Sequence, residues 1–156
     1  LWAESLGKYS AAKKKAVGLT PIAAYGATDQ HSQMQLFMEG PNNKFLFLLN
    51  IENKSTDYRL DSNLEFDSAQ KLKNYSLNEL LKAEFNGAVM ALKENKRKLI
   101  CLELDFLNEF SLGQLILFFE SLTCMMGLHL LIDPFNQPGV EKGKEFAFEY
   151  LNSLRK

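Results

Sequence analysis

What this sequence has little of narrows it first. Only two cysteines occur, Cys101 and Cys124, and both stand in apolar runs. That excludes a disulfide-stapled scaffold and predicts buried thiols in a reducing, cytoplasmic compartment. Only two histidines occur, His31 and His129, and nothing in the chain has metal-ligand spacing. There is no Walker loop and no GxGxxG, so the common phosphate-cradling and dinucleotide signatures are missing. Charge of either sign is not in excess: 18 Lys and Arg stand against 19 Asp and Glu, a net charge of -1. Such a balance supplies no basic field for nucleic acid and no bias toward an anionic membrane, so neither partner is expected. No apolar run is long and uninterrupted enough to span a bilayer. Internal repeats and low-complexity tracts are also missing. An initiator methionine is lacking: the chain opens on Leu1 and Trp2, in what reads as a helix already under way, and is expected to be the C-terminal part of a longer protein.

What is present fits one compact α/β domain. The 156 residues are 46% hydrophobic and 24% charged, ordinary for a globular chain with a sizeable core. Residues 1–7 read as a helix end capped by Gly7. The run Lys13–Lys15 reads as a solvated loop face without a role. In the segment 26–40, Thr28 or Asp29 can cap a helix whose stripe is Met34, Phe37 and Met38, and Gly40 before Pro41 stops it in a left-handed cap. Residues 44–51, KFLFLLNI, suit a strand buried on both faces of a parallel sheet. Residues 52–75 are polar and aperiodic. Ser76 and Glu79 form a capping box opening a helix to about Arg97, with Leu77, Leu80, Leu81, Phe85, Ala88, Val89 and Leu92 as its core stripe. Residues 99–104 read as a strand. Ser111 with Gln114 repeats the capping box and opens a helix to about Met126. Residues 128–132 read as a strand that makes His129 a satisfied core residue. Pro134 and Pro138 bracket a turn before a last helix with Phe146, Ala147, Tyr150, Leu151 and Leu154 on one face. Strands alternating with helices predict α/β with a largely parallel sheet. The loop 133–144 then lies where such sheets collect ligands, beyond a strand's carboxyl end.

Taken singly, the polar residues have ordinary explanations. His31 falls in the first turn of its helix, where the dipole favours a neutral ring able to exchange protons near neutrality; by itself it is a polar surface residue. Glu4 is an exposed helical glutamate, Gln137 a turn residue before Pro138, and Lys144 a solvated lysine that works weakly against a helix dipole.

Three ordered blocks change their weight: LWAESLGK at 1–8, GLTPIAAYGATDQHSQMQLFMEGPNNKF at 18–45, and DPFNQPGVEKGK at 133–144. Together they resemble the bacterial glucose-6-phosphate isomerase family, end to end but weakly over about 52–75. The resemblance implies a portion of a three-layer αβα sugar-isomerase (SIS-like) domain followed by a C-terminal helix. It implies reversible conversion of glucose 6-phosphate to fructose 6-phosphate through an enediol, in a homodimer, with no metal or redox cofactor. Glu4 matches the family's catalytic carboxylate, which carries the proton between adjacent carbons. His31 matches the ring-opening histidine, which reaches the neighbouring subunit's site. Lys144 matches a lysine at the ring-oxygen end, and Gln137 a glutamine lining the sugar site. Asn136 departs from the aspartate common in the family and loses its charge. The family's phosphate loop and its enediolate-steadying arginine are expected upstream of this chain, so the chain alone is expected to be inactive. The competing reading is a non-catalytic sugar-phosphate-binding or regulatory module of the same superfamily. Retention of Glu4, His31 and Lys144 together speaks against that, because a binding module needs no base. A third reading is a folding and dimerisation fragment known only by its interface, which is compatible with the first.

Overall fold

The computed structural model describes residues 1–54, 56–60 and 67–155. The fold is mixed α/β and divides into two compact units, Leu1–Ile22 with Gly113–Lys156, and Ala23–Leu112. In the first lie α1 (Trp2–Leu6), the strands β1 (Lys8–Ser10) and β2 (Lys15–Val17), most of α5 (Glu109–Leu130) and α6 (Pro138–Ser153). The second holds α2 (Thr28–Glu39), β3 (Phe45–Asn53), a single turn α3 (Asp67–Gln70), α4 (Leu77–Glu94) and β4 (Lys98–Phe106).

In the second unit the strands follow from sequence pattern. β3 and β4 pair in parallel, from Phe45 opposite Lys98 to Asn53 opposite Phe106, and α4 makes the crossover that a parallel pair requires. Its capping box is formed as expected: Ser76 Oγ accepts from Glu79 N–H at 3.1 Å, and Glu79 Oε2 accepts from Ser76 N–H at 2.7 Å. Val89 and Leu92 of the apolar stripe are buried. Because the Ser76 side chain is fully buried as well as capping, Ser76→Ala should cost about 1 kcal/mol, visible as a lower urea midpoint with an unchanged slope. An unchanged midpoint would remove the cap from the list of stabilising contacts.

Two carboxylates beside this helix titrate low. The Ser76 hydroxyl, with the Asn78 N–H, holds Asp57 below the usual carboxylate range, and the hydrogen bond from Lys82 at 2.5 Å does the same for Glu52. Lys82 is raised in turn by Glu52. A carboxyl depressed in the folded state stabilises above its unfolded value, and that contribution disappears as pH falls through the folded one. Stability should therefore decline on the acid side of the ordinary carboxylate range. The decline should be shallower in the pair Glu52→Gln, Asp57→Asn, by urea titrations at stepped pH. Identical slopes in parent and variant would contradict it. Asp57 is exposed and Glu52 is half-buried against an exposed lysine, so solvent screens both and the effect is small.

Several expectations give way. β3 is not buried on both faces: Phe45, Phe47 and Leu49 are 50%, 40% and 46% exposed, alternating with half-buried neighbours. A continuous apolar run identifies a strand but not how many layers cover it. The α2 N-cap is Ala27 and no side chain caps it; Asp29 Oδ2 accepts instead from Tyr25 N–H at 2.6 Å. Gly40 is extended, not left-handed, and glycine is required there because a Cβ would lie 2.5 Å from Leu36 O. The second capping box belongs to Asn108 and Ser111, which exchange bonds of 3.1 and 2.9 Å, so α5 starts at Glu109.

The largest correction concerns 128–132. No strand forms there; α5 continues to Leu130 and ends with Leu131 at φ 57 and Ile132 N–H bonded to Gly127 O at 3.0 Å. A short apolar run has the same composition in a strand and in a helix, and length decides between them only when the end is visible. His129 is accordingly an exposed last-turn residue and not a core one. At 22 residues, α5 is also long and apolar enough by length and composition to cross a membrane, although Gln114 and Glu120 interrupt it. Lys13 and Lys14 lie in the turn of the antiparallel hairpin β1–β2 and Lys15 opens β2, a pairing too short for sequence pattern to reveal. Of the polar stretch 52–75, residues 55 and 61–66 lie outside the described residues.

Candidate functional site

The first unit contains a cleft of about 690 Å³. One wall is α1 and β1, the other the segment between α5 and α6. α1 buries Ser5 and Leu6, which leaves Glu4 on its open side, facing the cleft. Lys8 and Tyr9 follow on the same wall, and Asn136, Gln137 and Val140 line the other.

Three hairpin side chains tie the walls together. α5 leaves its last carbonyls without helical partners. Lys13 Nζ donates to His129 O at 3.0 Å, Ser10 Oγ to Leu131 O at 3.1 Å, and Lys8 Nζ to Asp133 O. Ser10 is fully buried and also accepts from Lys13 N–H at 3.3 Å. The Asp133 carboxylate organises the next turn, accepting from Phe135 N–H and from Asn136 Nδ2, each at 2.9 Å. Pro134 sits against Gly127, where a Cβ would lie 2.9 Å from the proline ring, so only glycine lets the loop pack this closely. Gln137 is the N-cap of α6, but its side chain makes no capping bond and faces the cleft instead.

Two of the predicted residues, Glu4 and Gln137, thus meet at one cleft although 132 positions lie between them in sequence. Asn136 joins them, its amide nitrogen held by Asp133. Lys144 does not line the cleft. Its ammonium bonds Glu141 Oε1 at 2.7 Å, one turn back on α6, and both are well exposed. His31 belongs to the other unit, exposed in the first turn of α2. Lys8 and Tyr9 were not singled out by sequence reasoning; Lys8 closes the first of the three matched blocks, and that position was the available signal. Chemically, the cleft offers two carboxylates, Glu4 and the Asp133 that organises the turn, one ammonium and two carboxamides, a set suited to a polyhydroxylated ligand. Among the described residues no group of three or more His, Cys, Asp or Glu is placed to hold a metal ion.

No protein-family model matches the chain. Curated proteins do. A probable glucose-6-phosphate isomerase of Methanococcus maripaludis is 40% identical over 99% of the chain and 33% of its own length. The glucose-6-phosphate isomerase of Campylobacter jejuni is 38% identical over 98% of the chain and 37% of its own length. Among solved structures, a hypothetical protein from Thermus thermophilus matches 96% of the chain and 36% of its own length, with TM-score 0.89 and 34% identity. The resemblance to glucose-6-phosphate isomerases therefore holds over nearly the whole chain, and the chain spans about a third of the length of the curated relatives it matches.

Proposed function

We propose that this chain is the C-terminal part of a glucose-6-phosphate isomerase and supplies part of that enzyme's active site. The observation that carries the reading is the meeting of Glu4 and Gln137, from two widely separated matched blocks, at one cleft. The outward apolar residues of β3, and those of α5 and α6 such as Leu117 and Phe146, suit a sugar-isomerase domain whose other layers come from the rest of a longer protein. In that setting the chain works as one part of a cytoplasmic, homodimeric αβα enzyme.

The chemistry follows from the side chains. Aldose–ketose isomerisation moves one proton between neighbouring carbons. Glu4 takes the proton from C2 of the open-chain aldose, the electrons of that C–H bond form the enediolate with its charge on O1, the O2 hydroxyl proton passes to O1, and Glu4 returns its proton to C1 as the C2 carbonyl of the ketose forms. Gln137 and Asn136 hold sugar hydroxyls by hydrogen bonds. His31, from the neighbouring subunit, moves the ring-opening proton. Lys144 serves the ring-oxygen end once its exposed pair with Glu141 opens, a pair of little energetic consequence.

The test uses the full-length protein: formation of fructose 6-phosphate from glucose 6-phosphate, followed in both directions. Turnover supports the proposal; binding of the sugar phosphate without turnover would favour the regulatory module instead. The 156-residue chain alone should show no turnover, with activity appearing only when the remaining part is supplied. Robust turnover by residues 1–156 alone would contradict the assignment.

A further inference from the structure

The helix that carries His31 is loosely seated. No side chain of α2 is buried, and its hydrophobic stripe is only half covered. Packing of its own residues therefore fixes its position weakly. Its C-terminal end, in contrast, is gripped by one side chain. Arg97 Nη1 donates to Gly40 O at 3.0 Å, and Nη2 donates to Met38 O. These two carbonyls lie at the negative end of the α2 dipole, where a cation is favourable. The Arg97 Nε–H is buried and finds no partner among the described residues, so the guanidinium is held through its two terminal nitrogens.

Arg97 itself is firmly placed. It lies between α4 and β4, one residue after Lys96, whose φ is 53, and its N–H bonds back to Leu92 O at 2.9 Å. The next residue, Lys98, begins the strand paired with β3. A rigid strand end thus holds a fork, and the fork holds a helix end. His31 stands seven residues before Met38 on the same helix, about 10 Å along its axis. A small tilt at the gripped end displaces the histidine laterally.

We propose that Arg97 is a positioning residue for His31, fixing the axis of α2 so that the imidazole is presented for ring opening. This rests on the role given to His31 above. A bidentate fork restrains both translation and rotation of the helix end, which a lysine's single ammonium cannot do. Misplacement of a catalytic group by about 1 Å can cost on the order of 100-fold.

The experiment compares Arg97→Met, Arg97→Lys and His31→Ala in the full-length enzyme. Each is assayed with glucose 6-phosphate and with a four-carbon aldose 4-phosphate, whose phosphorylated O4 cannot close a ring. Arg97→Met should lower kcat on the cyclic substrate roughly 10- to 100-fold, leave the acyclic substrate nearly unaffected, and add little to His31→Ala in the double variant. Arg97→Lys should fall between parent and Arg97→Met. Amide hydrogen exchange over residues 30–39 should quicken in Arg97→Met while α4 stays protected, which separates a loosened helix from a failed fold. Equal losses on both substrates, full additivity with His31→Ala, or unchanged exchange in α2 would overturn the inference. If His31→Ala fails to separate the two substrates, the role of His31 falls and this inference falls with it. If His31→Ala separates them and Arg97→Met does not, only Arg97 loses its role.

Discussion

Glu4→Gln in the full-length enzyme should slow isomerisation by roughly 10²–10⁴-fold, the usual contribution of a positioned general base, and by more if loss of both half-steps compounds. Glutamine keeps the size of the side chain and one hydrogen-bonding oxygen but cannot accept the proton. Glu4 lies on the open side of a short helix whose other side buries Ser5 and Leu6, so the substitution should leave stability nearly unchanged. KM should move little on the proposed reading, in which Gln137, Asn136 and residues of the rest of a longer protein hold the substrate. A loss in KM with kcat intact would instead describe a binding residue.

His31→Ala should produce the second large effect, and a selective one. Proton transfer to and from the ring is a separate event from transfer between carbons. The variant should lose roughly 10²-fold or more on the cyclic sugar phosphate and little on an acyclic one. Equal losses on both would remove the ring-opening role. If the histidine serves the neighbouring subunit, hybrids of His31→Ala and Glu4→Gln subunits should recover activity, because half of their sites contain neither substitution. No recovery in hybrids would contradict a shared site.

The fold was legible where a local rule carried it. Ser76 and Glu79 announce a capping box that forms as expected, and the run 44–51 announces a parallel strand. It was illegible where two structures share one composition. Residues 128–132 are apolar enough for a strand, yet they form the last turn of α5 and its exit, where His129 O, Leu131 O and nearby Asp133 O accept hydrogen bonds from Lys13, Ser10 and Lys8 more than 100 residues away. No local window contains those donors. The same limit applies to the cleft. Glu4 and Gln137 were identifiable by resemblance, and their convergence needed the hairpin that ties α5's end to α1's neighbour. Lys144 illustrates the converse: its block matched, but its ammonium is engaged by Glu141 outside the cleft wall. The clamp from Arg97 to Met38 and Gly40 was likewise invisible, because an arginine between a helix and a strand carries no pattern of its own.

Solvent exchange tests the central assignment most directly. In deuterated water the full-length enzyme, mixed with glucose 6-phosphate, should place deuterium on the sugar at the exchanging carbon, because the proton held by a carboxylate equilibrates with water between the two half-steps. The Glu4→Gln enzyme should leave the sugar unlabelled over the same period while still binding it. Deuterium entering at the parent rate in Glu4→Gln would make Glu4 an ordinary helix-end glutamate and take the proton-transfer role away from this cleft.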